Sequence, residues 1–144
     1  MSGSGIPTDG GLLGRVRDAV RDRLERPRGS KAGTVIEVRG AGPDDRAALA
    51  AKLQDEHERP VFRLSPEDLV AAPHDRAAAV LRLLDAAEVA GAIPMLDAAD
   101  HLVTDRAAAI GLEERLRSFP GLVVIATDGV SPLQAVVTQT ILRG

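Results

Sequence analysis

Ala92-Ile93-Pro94-Met95-Leu96-Asp97-Ala98-Ala99-Asp100-His101-Leu102 decides the reading of this chain. A short apolar run follows Gly91 and stops at Asp97, which predicts a strand buried on both faces that carries a carboxylate to its end. An aspartate between a strand and a helical turn either caps the helix or holds something bound at the end of the sheet.

Working outward from that strand gives the remaining elements. On its amino side, Ala78, Val80, Leu81, Leu84, Ala87 and Glu88 predict a mostly apolar helix over residues 75–90, stopped by Gly91. Val61-Phe62-Arg63-Leu64 reads as a short strand, and in Ser65-Pro66-Glu67-Asp68 serine caps and proline opens a helical turn. Thr34-Val35-Ile36-Glu37-Val38 is the first strand. Gly40-Ala41-Gly42-Pro43 turns the chain into a helix capped by Asp44 or Asp45 and carrying Ala47, Ala48, Leu49, Ala51 and Leu53. On the carboxyl side, Ile110, Leu112 and Leu116 lie on a helix over residues 105–119, and Pro120-Gly121 leads into Leu122-Val123-Val124-Ile125-Ala126. Ser131-Pro132 starts a last short helix, and Thr140-Ile141-Leu142 is the candidate fifth strand.

Continuously apolar strands alternating with helices specify a five-stranded parallel sheet covered on both faces, a three-layer α/β/α sandwich. Ligands of such sheets gather at the carboxyl ends of the strands. The informative loops are therefore residues 40–46, 97–100 and 127–131.

The composition narrows the function classes. A chain of 144 residues, 44% apolar, forms one domain that buries about two-thirds of its unfolded surface. Without cysteine there is no disulfide, no thiolate metal site and no cysteine nucleophile. His57, His74 and His101 lack the spacing of a metal site and read as surface residues, and no G-x-S-x-G elbow supports serine hydrolysis. The Gly- and Ser-rich residues 1–11 are expected to be disordered. Residues 12–31 form a basic amphipathic segment. In it Leu12, Leu13, Val16, Ala19, Val20 and Leu24 recur at helical spacing until Pro27-Arg28-Gly29 ends the helix.

Seven basic residues stand against three acidic ones between Arg15 and Lys31, so this stretch carries +4 of a net charge of −3 and the remainder about −7. It is the candidate docking element, its alternative being a solvated face of Arg and Asp pairs. Nucleic acid is not an expected partner, because Phe62 and Phe119 are the only aromatic residues. No apolar run approaches the ~20 residues that span a bilayer and the amino terminus has no secretory pattern, so a cytoplasmic protein without a membrane partner is expected.

Asp85-Ala86-Ala87-Glu88-Val89-Ala90-Gly91 followed by residues 92–102 resembles the helix and Walker B strand of AAA+ ATPases, members of the P-loop NTPases. Arg115-Leu116-Arg117-Ser118-Phe119-Pro120-Gly121-Leu122-Val123-Val124-Ile125-Ala126-Thr127-Asp128 resembles the next helix and the sensor-1 strand of that family, which typically ends Thr-Asn. Order and spacing agree over most of residues 34–142. The similarity is greatest to the AAA+ proteins that accompany bacterial contractile injection systems. It implies that residues 32–144 are an AAA+-like core, without the helical lid that normally follows. AAA+ cores place the first strand between the last and the Walker B-type strands.

The residues that would do the chemistry depart from the family pattern. A working phosphate loop, G-x-x-x-x-G-K-[ST], surrounds phosphates with backbone N–H groups, neutralises them with lysine and ligates magnesium with its hydroxyl. The aligned stretch is Ala41-Gly42-Pro43-Asp44-Asp45-Arg46-Ala47-Ala48, in which lysine and hydroxyl are both replaced by alanine. Pro43 removes a donor, and Asp44 and Asp45 put negative charge where phosphates would lie. Two like charges ~4 Å apart repel by several kcal/mol at an effective dielectric near 20. Arg46 is the one available stand-in for the lysine. Asp97 matches the magnesium-binding aspartate, its structural alternative being an N-cap; Ala98 replaces the water-polarising glutamate, and Asp128 replaces the polar sensor with a carboxylate.

The vestigial nucleotide set is therefore Gly40, Gly42, Arg46, Asp97, Thr127 and Asp128, with no catalytic residue. Val70-Ala71-Ala72-Pro73-His74 lacks the aromatic grip of ring-forming motors, and Ala135-Val136-Val137-Thr138-Gln139 lacks the arginines that reach a neighbour's nucleotide, with Arg143 as a displaced remnant. These losses imply a pseudo-ATPase that acts through protein contacts, as scaffold or regulator, with no resident cofactor. The implied partner is an injection-system component or an intact AAA+ relative. One alternative is a weak ATP–magnesium-binding ATPase subunit whose site is completed by another chain. Another is a flavodoxin-like regulatory module, strand order 2-1-3-4-5, with a metal held by Asp97 and Asp100 together with Asp128.

Overall fold

A computed structural model describes residues 12–25, 34–40, 42–57, 59–65, 76–102 and 106–142. Helix α1 (Leu12–Glu25) precedes strand β1 (Thr34–Arg39), helix α2 (Pro43–His57), strand β2 (Val61–Leu64) and helix α3 (Arg76–Ala90). Strand β3 (Ile93–Leu96), the single turn α4 (Ala99–Leu102), helix α5 (Arg106–Ser118), strand β4 (Leu122–Thr127), a 3₁₀ turn at Gln134–Val136 and strand β5 (Gln139–Leu142) follow.

The five strands form one parallel sheet in the order β2-β3-β4-β1-β5. Its centre is the β1–β4 pair, in register from Thr34 opposite Leu122 to Arg39 opposite Thr127. The first strand lies between the last and β4, with β3 one step further on. This order differs from the 2-1-3-4-5 arrangement of the flavodoxin-like alternative.

Side chains alternate across the sheet and divide the core in two. Ile36 and Val38 of β1, Ile93 and Met95 of β3, and Val124 and Ala126 of β4 face Val16 and Val20 of α1 and Leu49 and Leu53 of α2. Val35, Leu96, Val123 and Ile125 face the opposite way, against Val80, Leu84 and Ala87 of α3 and Leu112 and Leu116 of α5. Each such Leu, Ile or Val buried contributes about 1.5–3 kcal/mol relative to exposure. The apolar runs of β3 and β4 are buried at every position, as two covered faces require.

Several sequence expectations are corrected. Neither Asp44 nor Asp45 precedes α2. Pro43 is its first residue, in the position where a missing N–H costs nothing, and both aspartates sit in its first turn. Gly42 donates its N–H to Asp45 Oδ2 at 3.3 Å, the reach-back half of a capping box. The helix expected after Ser131-Pro132 is a 3₁₀ turn, and the third strand begins at Ile93, not Ala92.

The expectations for residues 1–11, the helix stop at Pro27-Arg28-Gly29, the charge of Arg28 and Lys31, the Ser65-Pro66 helical turn, Val70 to His74 and Arg143 lie outside the described residues, as do the side chains of His57, Asp100 and His101. Among the described residues no helix is long and apolar enough to cross a membrane.

Candidate functional site

The carboxyl ends of β1, β3 and β4 lie side by side and bring together most of the residues singled out in the sequence. Gly40, with φ 80°, bends the chain away after β1 and donates its N–H to the Thr127 carbonyl at 2.8 Å. That left-handed backbone suits glycine, because a side chain there meets its own carbonyl. Asp97 donates its backbone N–H to the Leu64 carbonyl at 2.8 Å, so the end of β3 is fixed by the end of β2.

The Asp97 side chain is fully buried. Arg63 of β2 donates from Nε to its Oδ2 at 2.5 Å, and Arg46 Nε lies 3.6 Å from the same oxygen. Arg46 is itself 7% exposed, whereas the Arg63 side chain is 35% exposed. The burial of Arg46 follows from its place on α2. Arg46, Leu49, Ala50 and Leu53 stand at i, i+3, i+4 and i+7, the stripe that faces the sheet, and the first turn of that stripe lies over the end of β3.

The N-cap reading of Asp97 is corrected. Helix α4 begins at Ala99, so Ala98 holds the capping position and Asp97 stands one residue before it. Ala98 is buried and left-handed, φ 49°, a conformation that costs a non-glycine residue roughly 1–2 kcal/mol. A longer side chain at this position would meet both the strain and the lack of space.

Thr127 ends β4 fully buried, and its Oγ1 has no hydrogen-bond partner among the described residues. Asp128 follows it exposed to solvent, separated in environment from buried Asp97. Asp97 and Asp128 are thus not brought into one environment, and among the described residues no group of three or more His, Asp or Glu side chains is placed to hold a metal ion. Gly42 and Asp45 close on each other at the start of α2, so the Gly42 N–H that a phosphate would use already donates to a carboxylate.

A second buried polar cluster escaped the sequence reading. Glu37, in the middle of β1, is fully buried. Its Oε1 accepts from Arg39 Nε at 2.6 Å and Thr140 Oγ1 at 3.2 Å. Its Oε2 accepts from the Ser131 N–H at 2.8 Å and Gln134 Nε2 at 2.5 Å. One carboxylate thus holds the loop after β4, the 3₁₀ turn and the edge strand β5 to β1. The signal was available, since a charged residue inside an apolar strand with two covered faces has to be buried and satisfied. Arg63 was equally legible as the one charge in β2, but its partner was not.

No model of a known protein family matches this chain, and neither does any curated protein.

Proposed function

We propose that this chain is a degenerate AAA+-like domain that does not turn over ATP and works through protein contacts, as scaffold or regulator of a larger assembly. The observation that carries the reading is the Asp97 cluster. At the strand end where an ATPase would hold magnesium and the β- and γ-phosphates, a buried carboxylate is engaged by the guanidinium of Arg63, with that of Arg46 beside it. Arg46 comes from the very turn that aligns with the phosphate loop. A cation entering there has to compete with two fixed positive charges for one carboxylate, and a triphosphate has to pass Asp44 and Asp45.

Three further observations support the reading. The order β2-β3-β4-β1-β5 puts the first strand beside the last, which agrees with the resemblance, while its other neighbour is β4 and the Walker B-type strand β3 lies one step further on. Ala98 offers no group to activate water. The Gly42 N–H is bonded to Asp45 and is not presented to solvent as an anion donor. The alternative of a weak nucleotide-binding subunit requires Arg63 and Arg46 to release Asp97 first, a step that uncovers a buried charge.

Under this reading the working surfaces are the helices and sheet edges, and the partner class is a protein, either an intact AAA+ relative or a component of an injection apparatus. Calorimetric titration with ATP and a slowly hydrolysed analogue, with and without magnesium, tests it. The expected result is no binding tighter than about 100 μM, equivalent to about −5.5 kcal/mol. Magnesium-dependent binding below that value would overturn the reading.

A further inference from the structure

Helix α5 gives one stripe to the core and leaves a second one to solvent. Ala109, Leu112 and Leu116 are buried, and Arg115 ties the helix to Asp85 and Glu88 of α3. On the outer side Arg106, Ile110 and Glu114 stand at i, i+4 and i+8, all exposed and in one line along the helix. Ile110 is 49% exposed, a large apolar side chain between a cation and an anion.

Three features set this stripe apart from an ordinary solvated face. Arg106 is the first residue of α5, where the positive end of the helix dipole disfavours a cation, and no acidic residue stands in the first turn to offset it. Among the described residues neither Arg106 nor Glu114 makes a hydrogen bond or an ion pair, whereas Glu113 and Arg115 of the same helix are engaged. Beside the stripe stand only Ala107 and Gly111, and a side-chain carbon at Gly111 would meet nothing within 4 Å. A second helix can therefore come close to the α5 backbone at this level. Leu81 of α3, 37% exposed, precedes Asp85 by one turn as Gly111 precedes Arg115, so it borders the same face.

We infer that a second copy of this chain docks on this face, its α5 antiparallel to the first about a twofold axis at Ile110. A twofold interface is isologous and must be complementary to itself. The order cation, apolar, anion meets that condition when read in opposite directions. Ile110 packs on Ile110 of the second copy, and Arg106 of each copy faces Glu114 of the other. Four residues rise about 6 Å, so the two ion pairs lie at equal distances on either side of the axis. A parallel pairing would set arginine on arginine and glutamate on glutamate. A foreign helix would need the same three kinds of residue in reverse order, which a second copy supplies by symmetry. The stripe shares no residue with the Asp97 cluster, so the inference is independent of the pseudo-ATPase reading.

Light scattering on the eluting full-length chain, loaded from about 5 to 500 μM, covers the range in which a small helix-to-helix contact assembles. The mass is expected to rise with concentration from 15.1 kDa towards twice that value. Ile110→Lys, at an exposed position, should keep the chain monomeric. Arg106→Glu and Glu114→Arg should each weaken self-association by about tenfold or more, because either reversal turns both ion pairs repulsive. An equimolar mixture of these two variants should dimerise about as well as the unaltered chain, since every pair between them is again opposite in sign. Mixing would not rescue a folding defect, and circular dichroism of each variant alone checks that the fold is kept. A chain that stays monomeric to the top of the range, a dimer indifferent to Ile110→Lys, folded variants that fail to associate with one another, or an assembly larger than two would each overturn the inference.

Discussion

Asp97 shows how the same residue reads differently once its neighbours are known. In the sequence it is either a cap or a metal ligand; in the fold it is the acidic member of a buried cluster with Arg46 and Arg63. Removing one member of such a cluster costs more than the attraction it supplied, because the partner is left charged and dry. Asp97→Ala is therefore expected to lower stability by about 3–5 kcal/mol, through loss of the buried carboxylate that Arg63 and Arg46 share. Arg63→Ala should cost only about 1–2 kcal/mol, since that side chain already reaches water. Replacing both buried members by apolar residues of similar size, Asp97→Leu with Arg46→Met, should recover most of the Asp97→Ala loss. Urea unfolding of the four proteins gives the ranking, and an Asp97→Ala cost no larger than that of Arg63→Ala would show that the buried pair matters little.

Between elements, the contacts that set the geometry lie at ends and turns. Arg115 near the end of α5 donates to Asp85 and Glu88 near the end of α3 and lies 5.6 Å from the centre of the Phe119 ring. Its guanidinium pKa is raised, chiefly by the Glu88 hydrogen bond and against some burial. Gly91 closes α3 with φ 69° and open space around a notional Cβ, whereas Gly111 sits inside α5 with equally open space and no left-handed backbone. The same substitution should therefore have opposite signs. Gly91→Ala is expected to destabilise by about 1 kcal/mol through backbone strain, and Gly111→Ala to stabilise by about 0.5–1 kcal/mol through helix propensity. Paired thermal melts decide it, and equal signs would refute the assignment of strain to Gly91. Glu37 joins three elements at once. Glu37→Ala is expected to cost about 3–5 kcal/mol by leaving the Ser131 N–H and the Gln134 and Arg39 donors without their acceptor. Its loosening should be felt first in β5 and the loop after β4, as increased amide exchange there, while α3 stays unchanged.

For the molecule as a whole, the architecture was legible in the sequence and the wiring of its polar interior was not. A parallel sheet covered on both faces demands continuous apolar strands, so Val123, Val124 and Ile125, or Ile93 to Leu96, announce themselves without help from distant residues. Gly91 and Pro120-Gly121 punctuate the helices by local conformational preference, which is also a short-range signal. Asp97 and Arg63 are 34 residues apart, and Glu37 and Ser131 94. No periodicity links such pairs, and only the crossover connections of the sheet bring them together. The loop closures also predict where the fold is weakest. Strands β1, β4 and β3 are flanked on both sides and buried, whereas the half-buried β2 has, among the described residues, β3 as its sole strand neighbour and its last carbonyl held by Asp97. Native-state amide exchange should therefore separate into levels. Val124 and Ile125 should exchange only through global unfolding, with a denaturant dependence equal to that of the whole chain. Phe62 and Arg63 should exchange through a smaller opening that exposes less surface. Asp97→Ala should widen that gap, because the Arg63 contact that ties β2 to β3 is lost with the carboxylate. If β2 and β4 exchange with one free energy and one denaturant slope in both proteins, the sheet opens as a single unit and the Asp97 cluster does not fasten its edge.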